Sequence, residues 1–250
     1  MIEAPPVGEA VVWYLGHCGY AVRTQNHFLI FDYQEKRDGP QPKTRPENPS
    51  LNSGWIVPEE IKGLKVRVFV SHSHTDHYDK VIHEWKKTIP DIEYFFGWSV
   101  PKDPLTHAFP GPRTGLISGG MEIATINSHH SGVPESAWLV EVDGLVIYHN
   151  GDCQPPNPVA EHEYLRSKTD RIDLAFIFPI LDKAEKYGVQ NRDLLKRFRV
   201  NAAFPMHMTS GDPMYLEFKK VVQAEFPGQP IHLPMRMGQQ YTYAKGRIVD

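Results

Sequence analysis

The chain has 250 residues, 40% hydrophobic and 23% charged, which is enough to bury a sizeable core. Its 27 basic residues against 30 acidic ones leave a formal net charge of −3, so no extended nucleic-acid surface is expected. There is no long apolar run, and Met1–Ala10 carries Glu3 and Glu9 without an apolar stretch, so neither a membrane span nor a secretory signal is expected.

Strand-like runs come first. Val11–Leu15 and Phe28–Phe31 are β-rich and separated by a glycine-containing turn, and Val66–Val70 suits a buried strand. Val81, Ile82 and Trp85 recur at helical spacing and predict a helix over Asp79–Lys87, followed by a strand at Tyr94–Phe96. The second half repeats this style, with a strand at Ile123–Ile126. Trp138–Val142 and Leu145–Tyr148 flank Asp143-Gly144, a hairpin signal. Strands are expected at Leu174–Phe178, Ala202–Phe204, Ile231–Leu233 and Gln240–Tyr243. Helices are expected after Asn191 and over Tyr215–Phe226, ending near Pro227-Gly228. Strands and helices mix in both halves with no linker or repeat, so one domain spanning 1–250 is expected.

Nine of the 22 prolines cluster in Gly39–Pro58 and Pro101–Pro112. Loops 33–58 and 101–120 could serve as pocket walls or dimer contacts, and Trp55 as an aromatic contact or an anchor to the core. Nothing in the sequence marks an oligomeric state. The only cysteines, Cys18 and Cys153, are expected to stay reduced, and the protein to be cytoplasmic.

The chemistry concentrates in Val70-Ser71-His72-Ser73-His74-Thr75-Asp76-His77, with three histidines and one aspartate inside six residues. His72 and His74, two apart beyond a buried strand, point to the same side if the chain is extended. Asp76 and His77 sit at the turn into the next helix and can diverge to serve a second ion. Imidazole and carboxylate donors suit Zn²⁺, Mn²⁺ or Fe. Four ligands are too few for two ions. Further candidates each follow a predicted strand: His129-His130, Asp152 and His207.

With these residues the chain resembles the metallo-β-lactamase fold superfamily, whose His-x-His-x-Asp-His signature is matched by His72, His74, Asp76 and His77. It is most similar to the branch of L-ascorbate-6-phosphate lactonase-like metal-dependent hydrolases. Gly16-His17-Cys18-Gly19-Tyr20, Asp32, Gly151-Asp152 and Pro205-Met206-His207 match that branch in the correct order, from about Val11 to His207. The resemblance implies an α/β (α+β) class and a four-layer αβ/βα sandwich, two mixed sheets face to face with helices outside. It implies two divalent metal ions, zinc first, with manganese or iron as alternatives. His72, His74 and His130 (or His129) would hold one ion, and Asp76, His77 and His207 the other, with Asp152 bridging. His130 is preferred because Ser131 follows it, as a small hydroxyl residue usually follows the family's ligand.

Asp32 would orient a ligand imidazole through its other ring nitrogen. Asp76 could steer the nucleophile, and His17 could face the substrate or be structural. His149 reads as structural and Cys153 as no ligand. Tyr78, Lys183 and Tyr187 are candidates for a proton or a positive contact. His27, His83, His107, His162 and His232 join no pattern. The expected activity is hydrolysis of a small ester, lactone or phosphoester by a metal-bound hydroxide. The alternatives are a phosphodiesterase or nuclease, a di-iron redox protein, and a non-catalytic metal-binding protein.

Overall fold

The computed structural model describes residues 2–182 and 185–249, without the side chain of His129. The first half builds one sheet. β1 (Ala10–Gly16), β2 (Gly19–Arg23) and β3 (His27–Phe31) are antiparallel neighbours. β4 (Arg37–Asp38) and β5 (Gln41–Pro42) form a separate small hairpin. After α1 (Pro58–Ile61), β6 (Lys65–Val70), β7 (Ile92–Phe96) and β8 (Thr106–Ala108) add in parallel beyond β3.

The second half builds another sheet. β9 (Gly115–Ser118), β10 (Met121–His130), β11 (Val133–Val142) and β12 (Leu145–His149) run antiparallel. α2 (Pro158–Arg166) precedes β13 (Arg171–Ile177), and α3 (Lys186–Arg197) precedes β14 (Arg199–Pro205); both strands extend the sheet in parallel. After α4 (Pro213–Glu225), β15 (Gln240–Ala244) and β16 (Arg247–Val249) return to the free edge of the first sheet beside β1.

The strands read as nearly continuous apolar runs because both faces of each sheet are covered. Val12, Tyr14, Leu29, Phe31 and Phe69 face Trp138, Val140, Ile147, Leu174 and Phe176 in the core between the sheets. Their neighbours Trp13, Leu15, Phe28, Ile30, Val66 and Val68 point outward and pack on Ile61, Ile82 and Trp85. On the other side, Tyr148, Ala175 and Ala203 pack on Leu165, Leu194, Phe218 and Val222 of the helices. Complete burial of each large side chain contributes about 1.5–3 kcal/mol. The result is the expected four-layer sandwich.

Local expectations are corrected at five points. The segment expected as a helix at Asp79–Lys87 is a 3₁₀ helix over Lys80–Lys87, with Asp79 as its cap accepting from Val81 N at 3.1 Å. Ile82 and Trp85 are three apart, a spacing that puts both on one face of a three-residue turn as well as of an α-helix. The supposed turn between β1 and β3 contains the strand β2. The expected strand at Ile231–Leu233 is a single bridge to Ala203, because Pro230 and Pro234 flank it and lack donors. β10 runs on through His130 into an unpredicted hairpin, whose Ser131 and Gly132 have φ of 44° and 84°. Loop 101–120 contains β8 and β9, one edge strand for each sheet.

Strand direction fixes where a site can form. β1, β3 and β6 run the same way, as do β10, β12 and β14. Their carboxyl ends deliver His17, Asp32, the His72–His77 loop, His130, Asp152 and His207. Ligand sites collect at such ends because the loops there are free to carry polar groups without breaking the sheet.

Candidate metal centre

Three of these positions hold left-handed backbone: His17 at φ 52°, Asp32 at 43° and His207 at 75°. Each costs about 1–3 kcal/mol, so the surrounding contacts must hold it there. His17 sits where the β1–β2 register slips between Tyr14 and Gly16. Its carbonyl accepts from His207 N at 3.0 Å, which fastens the two loops together. Asp38 also binds them. Its carboxylate accepts from Tyr14 Oη at 2.9 Å, from His17 N at 3.2 Å and from Ser210 N.

Among the described residues, donor atoms gather in three overlapping groups, in each of which all donors lie within 4.8 Å of one another: His72, His74 and His130; His72, His77 and Asp152; and His17, Cys18, His77 and His207. His72 Nε2 and His74 Nδ1 are 3.0 Å apart. Asp152 Oδ2 stands between the groups, 2.9 Å from His207 Nε2, 3.4 Å from His77 Nε2 and 3.4 Å from His130 Nε2. Its other oxygen is buried without a hydrogen-bond partner among the described residues. Asp76 belongs to none of the groups; its Oδ2 faces His17 Nε2 at 3.3 Å. The side chain of His129 lies outside the described residues.

The donors are braced from behind. Asp32 Oδ2 is 2.8 Å from His77 Nδ1, so Nε2 is the nitrogen left to face Asp152. Asp32 also accepts from Ser71 N at 2.7 Å and from its hydroxyl at 2.6 Å. Glu135 does the same for His72, with Oε1 3.1 Å from Nδ1, and accepts from Asp152 N at 2.6 Å. Gly151, at φ 54°, lets this turn approach: a Cβ there would stand 2.6 Å from Ser71 Cβ and 2.7 Å from Glu135 Oε1. Tyr187 donates to Asp152 O at 3.3 Å, lies 3.4 Å from His130 Nδ1, and stacks on Phe178 at 4.0 Å.

Burial pushes His72 down to about 3, helped by neighbouring His77, so it stands as a neutral imidazole with a free lone pair. Burial lowers His130 and His17 as well. In His77 burial acts in the same downward sense, but Cys18, Asp152 and Asp32 outweigh it and hold the group above the ordinary histidine range. Burial opposes the charge on Asp152, yet His77 and His207 hold its carboxyl well below the usual range. Burial and the Asp152 charge raise Glu135.

This donor set fits divalent ions. Bonds of about 2.0–2.3 Å in a tetrahedral site space the ligand atoms roughly 3.3–3.6 Å apart. The 2.9–3.4 Å separations among His72, His74, His77, His130, Asp152 and His207 lie close to that spacing. A buried carboxylate whose Oδ2 faces three imidazoles and whose Oδ1 has no partner among the described residues, beside His72 and His77 braced at their far nitrogens, suits a metal site.

Other candidates lie apart. Tyr78 is turned to His83, with its hydroxyl 2.8 Å from Nε2. Lys183 is outside the described residues. His149 is structural: it reaches Cys18 O at 2.9 Å and Gly151 N at 3.2 Å. His27 binds Gly119 O and Asp143, His107 lies 3.6 Å from Glu93, and His162 pairs with Asp193; His232 packs on Phe204. Trp55 is a buried anchor covered by Lys43 and Arg45. Both cysteines are free and buried. Sequence reasoning missed Ser71, Glu135 and Asp38 as supports. Ser71 lies inside the motif. Glu135 in a Pro-Glu-Ser stretch reads as a solvated strand end, and Asp38 as a loop residue.

Among described residues, no helix is long and apolar enough to cross a membrane. No curated protein matches the chain. Solved structures share its fold. Igni18, a metallo hydrolase from the archaeon Ignicoccus hospitalis, is 17% identical with a TM-score of 0.65, over 94% of this chain and 99% of that one. The metallo-beta-lactamase fold protein YhfI from Bacillus subtilis is 12% identical at TM-score 0.58, over 94% and 99%. CmlA, a diiron beta-hydroxylase from Streptomyces venezuelae, is 12% identical at TM-score 0.58, over 95% of this chain and 54% of that one. The family profile described as the beta-lactamase superfamily domain matches residues 11–207, most of the chain, with both ends of the match on the strand and loop that carry the site. The protein is therefore a member of the beta-lactamase superfamily, with the fold of its metal-dependent hydrolases.

Proposed function

We propose that the protein is a dinuclear metal-dependent hydrolase that cleaves a small ester, lactone or phosphoester. The observation that carries this reading is Asp152 Oδ2, which one carboxylate offers to His130 on one side and to His77 and His207 on the other. The first position would be held by His72, His74 and His130, the second by His77 and His207, with Asp152 shared. When bound, such a pair of ions supplies Lewis acidity and an activated water near neutral pH.

The chain's own residues supply the rest. Asp32 and Glu135 fix the rings of His77 and His72 before any ligand arrives. His17 Nε2 and Asp76 Oδ2 lie 3.3 Å apart beside the site, and the Asp76 side chain is 38% exposed. Burial opposes its charge, but neighbouring His17 and His77 hold its carboxyl below the usual carboxylate range, so Asp76 stays ionised and can orient an incoming water as a hydrogen-bond acceptor. Phe178 and Tyr187 form an aromatic wall beside His207. The net charge of −3 favours a small substrate over nucleic acid. The lactonase-like branch and a reducing, cytoplasmic setting complete the reading. Its matches at Gly16–Tyr20 and Pro205–His207 support the former, and two buried free thiols the latter.

Elemental analysis of the purified chain, followed by a panel of esters, lactones and phosphoesters, tests the reading. About two zinc or manganese per chain with turnover of one class is expected. Two iron and no hydrolysis would instead favour redox chemistry, as in a diiron protein of this fold. No metal after reconstitution would overturn the proposal.

A further inference from the structure

The β4–β5 hairpin borders a cavity of about 420 Å³ that none of the metal-binding donors lines. That size lies within the roughly 300–1,000 Å³ of small-molecule sites. Lys43 and Arg236 both line it, Thr44 adds a hydroxyl, and Pro46 and Met237 an apolar side. The chain has more carboxylates than basic groups, yet neither cation has a carboxylate partner among the described residues. There, Lys43 Nζ donates only to Gln34 O, at 3.1 Å, and lies 4.5 Å from the ring centre of Trp55 and 4.8 Å from that of Tyr33. Arg236 is exposed and makes one long bond, at 3.5 Å, to Met237 O. The carboxylates nearest Lys43 are engaged elsewhere. Glu35 accepts from Tyr33 Oη at 3.1 Å and pairs with Arg45 at 3.5 Å. Asp79 caps the 3₁₀ helix, and Asp38 accepts from Tyr14, His17 N and Ser210 N. Burial pushes the Lys43 amine down to about 7 against the pull of Glu35, Asp38 and Asp79, with Arg45 adding to the fall. Two aromatic rings and one carbonyl hold the ammonium, but none of them supplies a counter-charge.

We propose that this cavity is a binding site for a small phosphate-bearing ligand, with Lys43 and Arg236 holding the oxyanion and Thr44 donating to it. Two cations match the charge of about −1.5 to −2 that a phosphate monoester carries at neutral pH, whereas a carboxylate would leave one cation unmatched. The site adjoins the metal centre through Asp38, which lines the cavity and accepts from His17 N, but it takes no residue from the donor set. It therefore stands whether or not the two-ion reading does.

Calorimetric titration of the full chain with inorganic phosphate, metal-stripped and metal-loaded, tests this without relying on activity. Saturable binding of similar affinity is expected in both forms. Near neutral pH it should take up a fraction of a proton, read from the dependence of the heat on buffer ionisation enthalpy, because an oxyanion favours the Lys43 ammonium. Lys43→Met keeps the length of the stem and should weaken binding at least about ten-fold. Arg236→Gln changes an exposed side chain, so the fold is not at stake, and should weaken it about three- to five-fold. Phenyl phosphate binding to the metal-stripped chain more tightly than phosphate would identify an ester whose organic part lies on Pro46 and Met237. Equal affinity would identify the free ion. No saturable binding to the metal-stripped chain, or full affinity in Arg236→Gln, would overturn the site. Binding confined to the metal-loaded chain and untouched by both variants would place the phosphate on the ions and overturn it too.

Discussion

Asp32 Oδ2 lies 2.8 Å from His77 Nδ1, and both side chains are fully buried. One carboxylate therefore decides which nitrogen of His77 is left for a ligand. It can do so because Asp32 is held in left-handed backbone, at φ 43°, beside the start of the motif loop. Asp32→Asn tolerates that backbone but replaces a charged acceptor with a neutral amide. Metal affinity at the second position should fall about 10–100-fold while the fold is retained. Competition with a chelator, with circular dichroism as the control, measures this; unchanged affinity would remove Asp32 from the site's support.

Glu135 plays the matching part for His72 and also accepts from the backbone of Asp152. Glu135→Gln should weaken the first position by a similar factor of about 10–100. Glu135→Ala should in addition destabilise the apoprotein by about 1–3 kcal/mol, because Asp152 N is left buried without an acceptor. Urea unfolding of the metal-free variants separates the two effects. Equal stability of both variants would mean the bond to Asp152 N contributes nothing.

Metal binding should release protons. His77 is held above the ordinary histidine range in the metal-free protein, so at neutral pH it carries a proton that a ligand must displace. The raised value also stabilises the metal-free fold below the unfolded histidine pKa of about 6.5, a contribution lost as pH rises through the folded value. Affinity for the second ion should accordingly fall as pH is lowered. Calorimetry in buffers of different ionisation enthalpy should show net proton release; zero release at neutral pH would contradict the assigned state of His77.

Far from the site, Asp143 joins the two sheets. In the β11–β12 turn it accepts from Thr24 Oγ1 at 2.6 Å, from Asn26 N at 2.9 Å and from Asn26 Nδ2 at 2.7 Å. Burial opposes its charge, but these bonds and His27 depress its pKa. The stabilisation is complete above the unfolded aspartate value of about 3.9 and disappears as pH falls through the lower folded value. Asp143→Asn keeps the left-handed turn position and should cost about 1–2 kcal/mol at pH 7. Below pH 4 the gap between variant and wild type should narrow in urea unfolding. A gap independent of pH would show that the charge of Asp143 is not what matters.

Sequence alone showed strands and helices mixed in both halves, because apolar runs such as Val66–Val70 suit buried strands, while the layered sandwich was implied by the family resemblance of the motifs. It also determined which residue types could hold metal, because His72, His74, Asp76 and His77 are packed too closely to be chance, and His207 and Asp152 sit at the ends of apolar runs. Only the tertiary structure decided how those residues are shared. Strands of like direction in two sheets bring His17, His130, Asp152 and His207 together from positions far apart in sequence, and no local signal records which strand neighbours which. The pairing of Asp76 with His17, the approach of Cys18 to His77, and the support of His72 by Glu135 each join residues tens of positions apart. Hydrophobic period is a property of a segment and can be read along the chain. A donor's partner is a property of the packed sheets and exists only after they meet.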